Sequence, residues 1–136
     1  MNYKEALKFI LDEHFKWIDS NGKEGVRLDL KAANLSGANF KEADLKAADL
    51  KGARLWKSSL CGADLSGADL FEANLKDTVL MGASFAGANL KRANLFGVDL
   101  FGANLRKADL KGANLRLEDF KDSDLSRTIS FLRKAS

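Results

Sequence analysis

Leucine or phenylalanine recurs at every fifth position of the chain from Leu30 to Leu125, without a break in twenty consecutive positions. In an α-helix a residue five positions further on lies about 140° round the axis, so this period cannot build one apolar helical face. In extended backbone, residues two apart point to the same side. Because a small residue, mostly alanine, stands two positions before each leucine, the pattern predicts short extended segments that bury both residues and are joined by turns.

The predicted core consists of the twenty leucine and phenylalanine positions. Leu28 and Glu118 depart from the pattern, since they occupy positions where other repeats have a small residue. The core positions are Leu30, Leu35, Phe40, Leu45, Leu50, Leu55, Leu60, Leu65, Leu70, Leu75, Leu80, Phe85, Leu90, Leu95, Leu100, Leu105, Leu110, Leu115, Phe120 and Leu125.

The positions around each leucine indicate a turn rather than a reaction centre. Glycine stands two residues after the leucine in nine repeats, as expected where the backbone needs a positive φ. The residue before the leucine is aspartate nine times and asparagine seven times. Short side chains of this kind accept hydrogen bonds from turn backbone, so we assign these carboxylates no metal or catalytic site.

Segments such as Ala63-Asp64-Leu65-Ser66-Gly67 and Ala103-Asn104-Leu105-Arg106-Lys107 resemble the pentapeptide-repeat family. The resemblance covers residues 28–127, about three quarters of the chain. It implies an all-β fold, a right-handed quadrilateral β-helix with four repeats in each coil. The twenty repeats then predict about five coils.

The two ends fall outside this pattern. Asn2 and Glu5 have the spacing of a helix capping box, and apolar residues follow at helical spacing to Ile18, so residues 1–27 are expected to form an N-terminal helical cap and a lead-in. His14, the only histidine, is interpreted as a packed cap residue rather than a general base. Residues 128–136 are a C-terminal tail or cap, in which Ile129, Phe131 and Leu132 either seal the last coil or dock on a second molecule.

The outward position after each leucine carries several large apolar residues. We expect the middle coils to present a protein-contact patch, since a narrow tube has no room for these side chains. The alternative to a contact patch is that some of these rings lie flat over neighbouring turns and pack on the coil itself. The patch residues are Trp56, Cys61, Phe71, Met81, Phe96 and Phe101.

The same outward position carries ten cations, four of which share one face with aspartates. Pairing of these charges into a solvated ladder is favoured over a nucleic-acid groove. The four cations are Lys31, Lys51, Lys91 and Lys111.

Charge and cysteine content bear on which functions the chain could have. The net charge is only +3 over 136 residues, and acidic and basic residues are interleaved, so the composition gives little support for nucleic-acid binding. The single cysteine excludes an intramolecular disulfide framework and suggests a reducing compartment, so we expect a cytoplasmic location. The N-terminal residues are interrupted by charges, so neither a signal-peptide core nor a membrane segment is expected.

These features favour a non-catalytic interaction or structural module without a cofactor, which binds another protein or itself as a homodimer through the patch or the tail. Two alternatives stay open. One is a DNA mimic that acts on DNA gyrase, as the resemblance to quinolone-resistance members implies, although the repeats are nearly neutral. The other is direct nucleic-acid binding by the basic ladder, with the aromatic residues as stacking groups.

Overall fold

The structure, a computed structural model, describes residues 1–120. It contains one α-helix, α1 (Tyr3–Asp19), and one 3-10 helix (Leu117–Phe120). Between these two elements the chain alternates a two-residue turn with a short extended segment every five residues. Each extended segment is so short that it makes a single β-bridge to the corresponding segment twenty residues further along the chain.

Helix α1 begins as the sequence predicts. The Asn2 side chain accepts a hydrogen bond from the Glu5 amide at 2.9 Å, and the Glu5 carboxylate accepts one from the Asn2 amide at 3.0 Å. This capping box satisfies two of the amide groups that a helix start leaves without partners. The helix ends at Asp19, and Asn21 and Gly22 then take positive φ angles of 55° and 84°.

Each bridge joins residues that are twenty positions apart, and every bridge is parallel. The series Asp29 to Asp49 to Asp69 is one example. Backbone hydrogen bonds join the same layers in both directions: the Leu50 amide donates to the Asp69 carbonyl at 2.8 Å, and the Asp69 amide donates to the Ala48 carbonyl at 3.0 Å. The chain therefore winds into stacked layers of twenty residues, with four turns in each layer.

The residue two positions after each leucine has a left-handed backbone throughout. All seventeen such positions from residue 32 to residue 112 have φ between 55° and 74°. Nine of them are glycine, as the sequence suggests, but eight are other residues, such as Glu42 and Arg92. The turn therefore forms whether or not glycine is present, although a side chain in this region costs roughly 1–2 kcal/mol.

The leucine and phenylalanine positions line the interior. From Leu35 to Leu110 every one of them is buried, together with most of the alanines two positions before them, whereas Leu30 and Leu115 at the ends are half-buried. Phe120 and Leu125 belong to the predicted core, but the Phe120 side chain and all of residues 121–136 lie outside the described residues. The tail predicted at 128–136 lies outside them too.

The C-terminal end of the described chain differs from the regular pattern. The repeat predicts another turn and extended segment over 116–120, but Leu117–Phe120 form a 3-10 helix. Glu118 stands where other repeats place an alanine, and a glutamate side chain is too large and too polar for the narrow interior. Arg116 instead pairs with Asp119 at 3.1 Å on the surface.

Helix α1 lies over the first coil, residues 28–47. Leu7, Ile10 and Leu11 pack against the end of the core, and His14 is fully buried there. The lead-in, residues 20–27, passes close to the helix at Gly25. A Cβ added to Gly25 would collide with the Glu13 carbonyl oxygen and with the backbone nitrogen of Trp17.

We therefore predict that Gly25→Ala destabilises the protein more than Gly37→Ala. Both glycines have positive φ, 73° and 71°, but a Cβ at Gly37 meets nothing within 4 Å. Gly37→Ala should cost about 1–2 kcal/mol through backbone strain alone, and Gly25→Ala about 1–3 kcal/mol more through overpacking. Urea unfolding of the two variants measures the difference, and equal losses would contradict the close approach at Gly25.

Candidate functional site

The side chain before each leucine ties down the following turn. At all thirteen aspartates and asparagines in this position from Asp29 to Asp109, the Oδ1 atom accepts a hydrogen bond from the amide two residues later, at 3.0–3.3 Å. These side chains therefore have the turn-stabilising role that the sequence predicts. A residue without this acceptor gives up the interaction.

On one face of the stack an apolar residue, Val79, stands at this position, where it cannot accept the hydrogen bond from the turn amide. We name this face the Val79 face, after the bridged residues Asn39, Ser59, Val79 and Asp99 that run along its middle. One border of the face is formed by the turns at residues 56–57, 76–77 and 96–97, and the other by the turns at 61–62, 81–82 and 101–102. Valine has no hydrogen-bond acceptor, so its side chain cannot bind the turn amide and exposes only apolar surface.

All the large apolar side chains that are well exposed within the described repeats lie on the Val79 face or on its two borders. Their exposed fractions are Trp56 42%, Val79 38%, Met81 38%, Phe96 40% and Phe101 62%. Cys61 is half-exposed on the same border as Met81 and Phe101. These three occupy consecutive layers, because the Gly62 amide donates to the Met81 carbonyl at 2.8 Å and the Gly82 amide to the Phe101 carbonyl at 2.9 Å.

The predicted patch residues do not all meet. Phe71 lies at a different turn of the layer, with the next extended segment between it and the Trp56 border, and the Arg92 guanidinium lies 5.8 Å from its ring centre. Trp56 and Phe96 share a border but are two layers apart, with Lys76 between them. The six predicted residues therefore do not form one continuous patch.

Cations cover part of the Trp56 border. The Lys57 ammonium lies 4.6 Å from the Trp56 ring centre, and the Arg116 guanidinium lies 4.6 Å from the Phe96 ring centre. Met81 and Phe101 lie on the opposite border, and Val79 lies between the two borders; Phe101, at 62%, is the most exposed of the apolar side chains on the face. Val79 itself was missed in the patch predicted from the sequence. Its signal was available, because it is the one large aliphatic residue at a position that otherwise holds aspartate, asparagine, serine or arginine.

The interior behind the Val79 face is also unusual. Ser58 and Thr78 replace the usual alanine and are buried. The Thr78 hydroxyl donates to the Leu55 carbonyl at 2.8 Å, whereas the Ser58 hydroxyl has no hydrogen-bond partner among the described residues. The Val79 face therefore departs from the repeat on both its inner and its outer side.

The charged face lies elsewhere on the stack and forms an ion-pair ladder. Lys31 is 3.7 Å from the Asp29 carboxylate and 3.9 Å from that of Asp49, and Lys51 is 3.2 Å from Asp49 and 3.6 Å from Asp69. Each lysine thus bridges aspartates of two successive layers. Lys91 pairs with Asp109 of the next layer at 3.5 Å, and its own layer carries the uncharged Asn89 at the corresponding position.

Asp49 is the one buried carboxylate of this ladder. Burial alone acts to raise the pKa of Asp49. The hydrogen bonds from the Lys51 amide and ammonium, with the charges of Lys51 and Lys31, outweigh that effect and hold the pKa below its ordinary value. The charged form is therefore favoured in the folded protein.

The described residues do not support a pairing of His14 with Cys61. His14 is fully buried, with both ring nitrogens hydrogen-bonded to backbone, so it cannot serve as a base for Cys61. Within residues 1–120 no group of three or more His, Cys, Asp or Glu side chains is placed to hold a metal ion. Over the same residues no helix is long and apolar enough to cross a membrane.

Comparison with known families identifies the repeats. The model of the family described as "Pentapeptide repeats" matches eight copies, over residues 29–67, 63–100, 78–116 and 99–129. No curated protein matches the chain.

Several solved structures are similar. A pentapeptide repeat protein from the Arabidopsis thaliana thylakoid lumen is 31% identical with a TM-score of 0.71, covering 80% of this chain and 77% of its own. HetL, a protein involved in heterocyst differentiation regulation from the cyanobacterium Nostoc, is 37% identical with a TM-score of 0.52. That match covers 71% of this chain but only 48% of HetL.

The fluoroquinolone resistance protein QnrB1 is a more distant match. It is 17% identical, with 82% of this chain and 72% of its own covered, and its TM-score is 0.31. A likeness at this level carries no argument about function.

The ladder generates a prediction about acid stability. Because the pKa of Asp49 is lowered on folding, its contribution to stability is present above its ordinary value of about 3.8 and is lost as the pH falls through the folded value. At pH 7, Asp49→Asn should cost about 1–2 kcal/mol, because it removes a charged hydrogen-bond acceptor from a buried site. The matched change Asp109→Asn, at a half-exposed site, should cost less than about 0.5 kcal/mol.

Thermal melts of both variants between pH 3 and pH 7 measure the effect. We expect the stability of Asp49→Asn to fall less steeply in acid than that of the wild type. If the stability of Asp49→Asn fell with decreasing pH as steeply as that of the wild type, the Asp49 carboxylate would contribute nothing to the pH dependence of stability.

Proposed function

Because the chain belongs to the pentapeptide-repeat family, we propose that it is a non-catalytic protein-interaction module whose contact surface is the Val79 face. The observation that carries the proposal is the gathering of exposed apolar side chains on one face of an otherwise polar stack. Aromatic residues and methionine are enriched in the centres of protein interfaces, where charged residues are depleted. The occupant is another protein or a second copy of this chain.

Family membership sets the fold as a right-handed β-helix solenoid. We further propose the finer organisation: residues 1–27 cap the first coil, residues 28–127 form a quadrilateral stack of about five coils, and residues 128–136 are a tail or second cap. The twenty-residue spacing of the bridges supports four repeats per coil. The packing of α1 on the end of the core supports its role as a cap, since the open end of a solenoid needs covering.

One feature sets the Val79 face apart from the other faces, which are built from the same parallel bridges. At Val79 the turn lacks the hydrogen bond that aspartate or asparagine gives it elsewhere, since valine has no acceptor. Burial of exposed apolar area stabilises association by about 25 cal/mol per Å² before the costs of binding are subtracted.

Nucleic-acid binding and gyrase mimicry have weaker support. Lys31 and Lys51 of the ladder each pair with aspartates of two layers, and Lys91 pairs with Asp109, so these charges are partly neutralised locally. A DNA mimic needs an acidic surface, and the whole chain has a net charge of +3. We also propose a reducing compartment such as the cytoplasm, on the basis of the single cysteine.

The proposal predicts that Phe101→Asp abolishes association through the Val79 face and leaves the fold intact. Phe101 is the most exposed large apolar residue of the face, so the added charge meets solvent in the free protein and a desolvated apolar contact in the complex. The matched control is Phe71→Asp, the same substitution at the same position of the repeat but away from the face. Wild-type and variant proteins serve as baits in a lysate of the source organism, and sedimentation velocity measures self-association.

We expect wild type and Phe71→Asp to retain the same partner, or to form the same dimer, and Phe101→Asp to lose it. Thermal melts of all three proteins should show a loss below about 1 kcal/mol for Phe101→Asp. Equal binding by all three baits would refute the assignment of the contact surface.

A further inference from the structure

His14 links helix α1 to both ends of the first coil. Its Nδ1 atom lies 2.9 Å from the amide nitrogen of Leu28, where the first coil begins, and its Nε2 atom lies 2.9 Å from the carbonyl oxygen of Lys46, near the end of the same coil. The ring is fully buried and stacks on Trp17, with the ring centres 5.7 Å apart and the planes at 11°. A single side chain therefore joins three parts of the molecule.

The two hydrogen bonds fix the protonation state of the ring. The Leu28 amide can only donate, so Nδ1 must accept and cannot carry a proton. The Lys46 carbonyl can only accept, so Nε2 must carry the hydrogen and donate it. The docked ring is thus the neutral tautomer, and a second proton on Nδ1 would place two donors against each other.

The charged groups around the ring act in opposite directions. Asp44 of the first coil favours the charged form of the imidazole, and Arg27 of the lead-in disfavours it. Burial outweighs both the Lys46 hydrogen bond and the Asp44 charge, so the pKa of His14 lies below its ordinary value. Arg27 is itself held in place, because its Nε donates to the Ala47 carbonyl at 2.7 Å.

We propose that His14 is a proton-sensitive latch, which holds α1 and the lead-in on the first coil when the ring is neutral and releases them when the ring takes up a second proton. The proton goes to Nδ1, and the bond lost is the one from the Leu28 amide. Release uncovers the apolar end of the core, which Leu7, Ile10 and Leu11 of α1 cover in the docked state. The first coil then becomes an open end of the solenoid.

The direction of the pH effect follows from the buried neutral ring. A released histidine titrates near pH 6.5, whereas the docked ring resists protonation, so protons bind the released state more tightly. Above about pH 6.5 the latch is closed. Below it, the ratio of released to docked molecules should rise about tenfold for each pH unit, until the pKa of the docked ring is reached.

Hydrogen exchange measured by NMR tests the latch, because it reports opening of α1 separately from opening of the repeats. In the wild type, the protection factors of α1 amides should fall by more than threefold and by up to about 30-fold between pH 7.5 and pH 5.0, the upper figure being reached when the docked ring stays neutral over the whole range, while those of Leu65 and Leu70 hold. The matched variant is His14→Gln, since a glutamine amide can also donate and accept but does not titrate in this range. Its α1 protection factors should change less than about threefold over the same interval.

The pH range stays above the ordinary pKa values of aspartate and glutamate, so other carboxylates contribute little. If His14→Gln fails to dock, the wild-type ring gives an independent reading, because the chain has only one histidine. Its NMR titration should show a pKa below 6.5, and loss of α1 protection should accompany protonation. A ring that titrates at 6.5 or above, or α1 protection that is equally pH-dependent in both proteins, would overturn the proposal.

Discussion

The structure depends on one backbone constraint, the left-handed conformation of every fifth residue. At each of these positions the chain turns and then runs on as a short extended segment, so four turns return it to its starting side after twenty residues. Leucine and alanine point inward only because the turn fixes the phase of the segment. Hydrogen bonds between layers follow in turn, since residues twenty apart lie directly above one another.

This regularity makes departures from the repeat informative. Once the turns place each position of the repeat in a column, a residue on the surface has known neighbours above, below and on the next turn. Aspartate, asparagine and lysine fill most outward columns and pair with each other or with the turn backbone. Among the described repeats, only the Val79 face departs from this pattern both outside, where Val79 replaces a polar residue, and inside, where Ser58 and Thr78 replace alanine. We therefore base the proposed function on this face and not on the basic ladder.

Much of this arrangement could be predicted from the sequence. The five-residue period fixes the inward leucines, the capping box fixes the start of α1 at Tyr3, and the asparagines and aspartates hold the turns as expected. The candidate site was less predictable. Phe71 was included in the patch although the four-repeat register already places it at another turn than Phe101, and Val79 was missed although it is the one large aliphatic residue at its position of the repeat. The roles of His14 depend on backbone groups of Leu28 and Lys46, which carry no side-chain signal in the sequence.

The left-handed turn can be tested directly at two neighbouring exposed residues, Lys41 and Glu42. Glu42 has φ of 60°, whereas Lys41 is not among the residues with positive φ. Urea unfolding of the glycine and alanine variants at each position measures the backbone preference with little change in packing. Glycine should be more stable than alanine by about 1 kcal/mol at position 42, and alanine more stable than glycine by about 0.5–1 kcal/mol at position 41. The same order at both positions would contradict the constraint on which the whole fold depends.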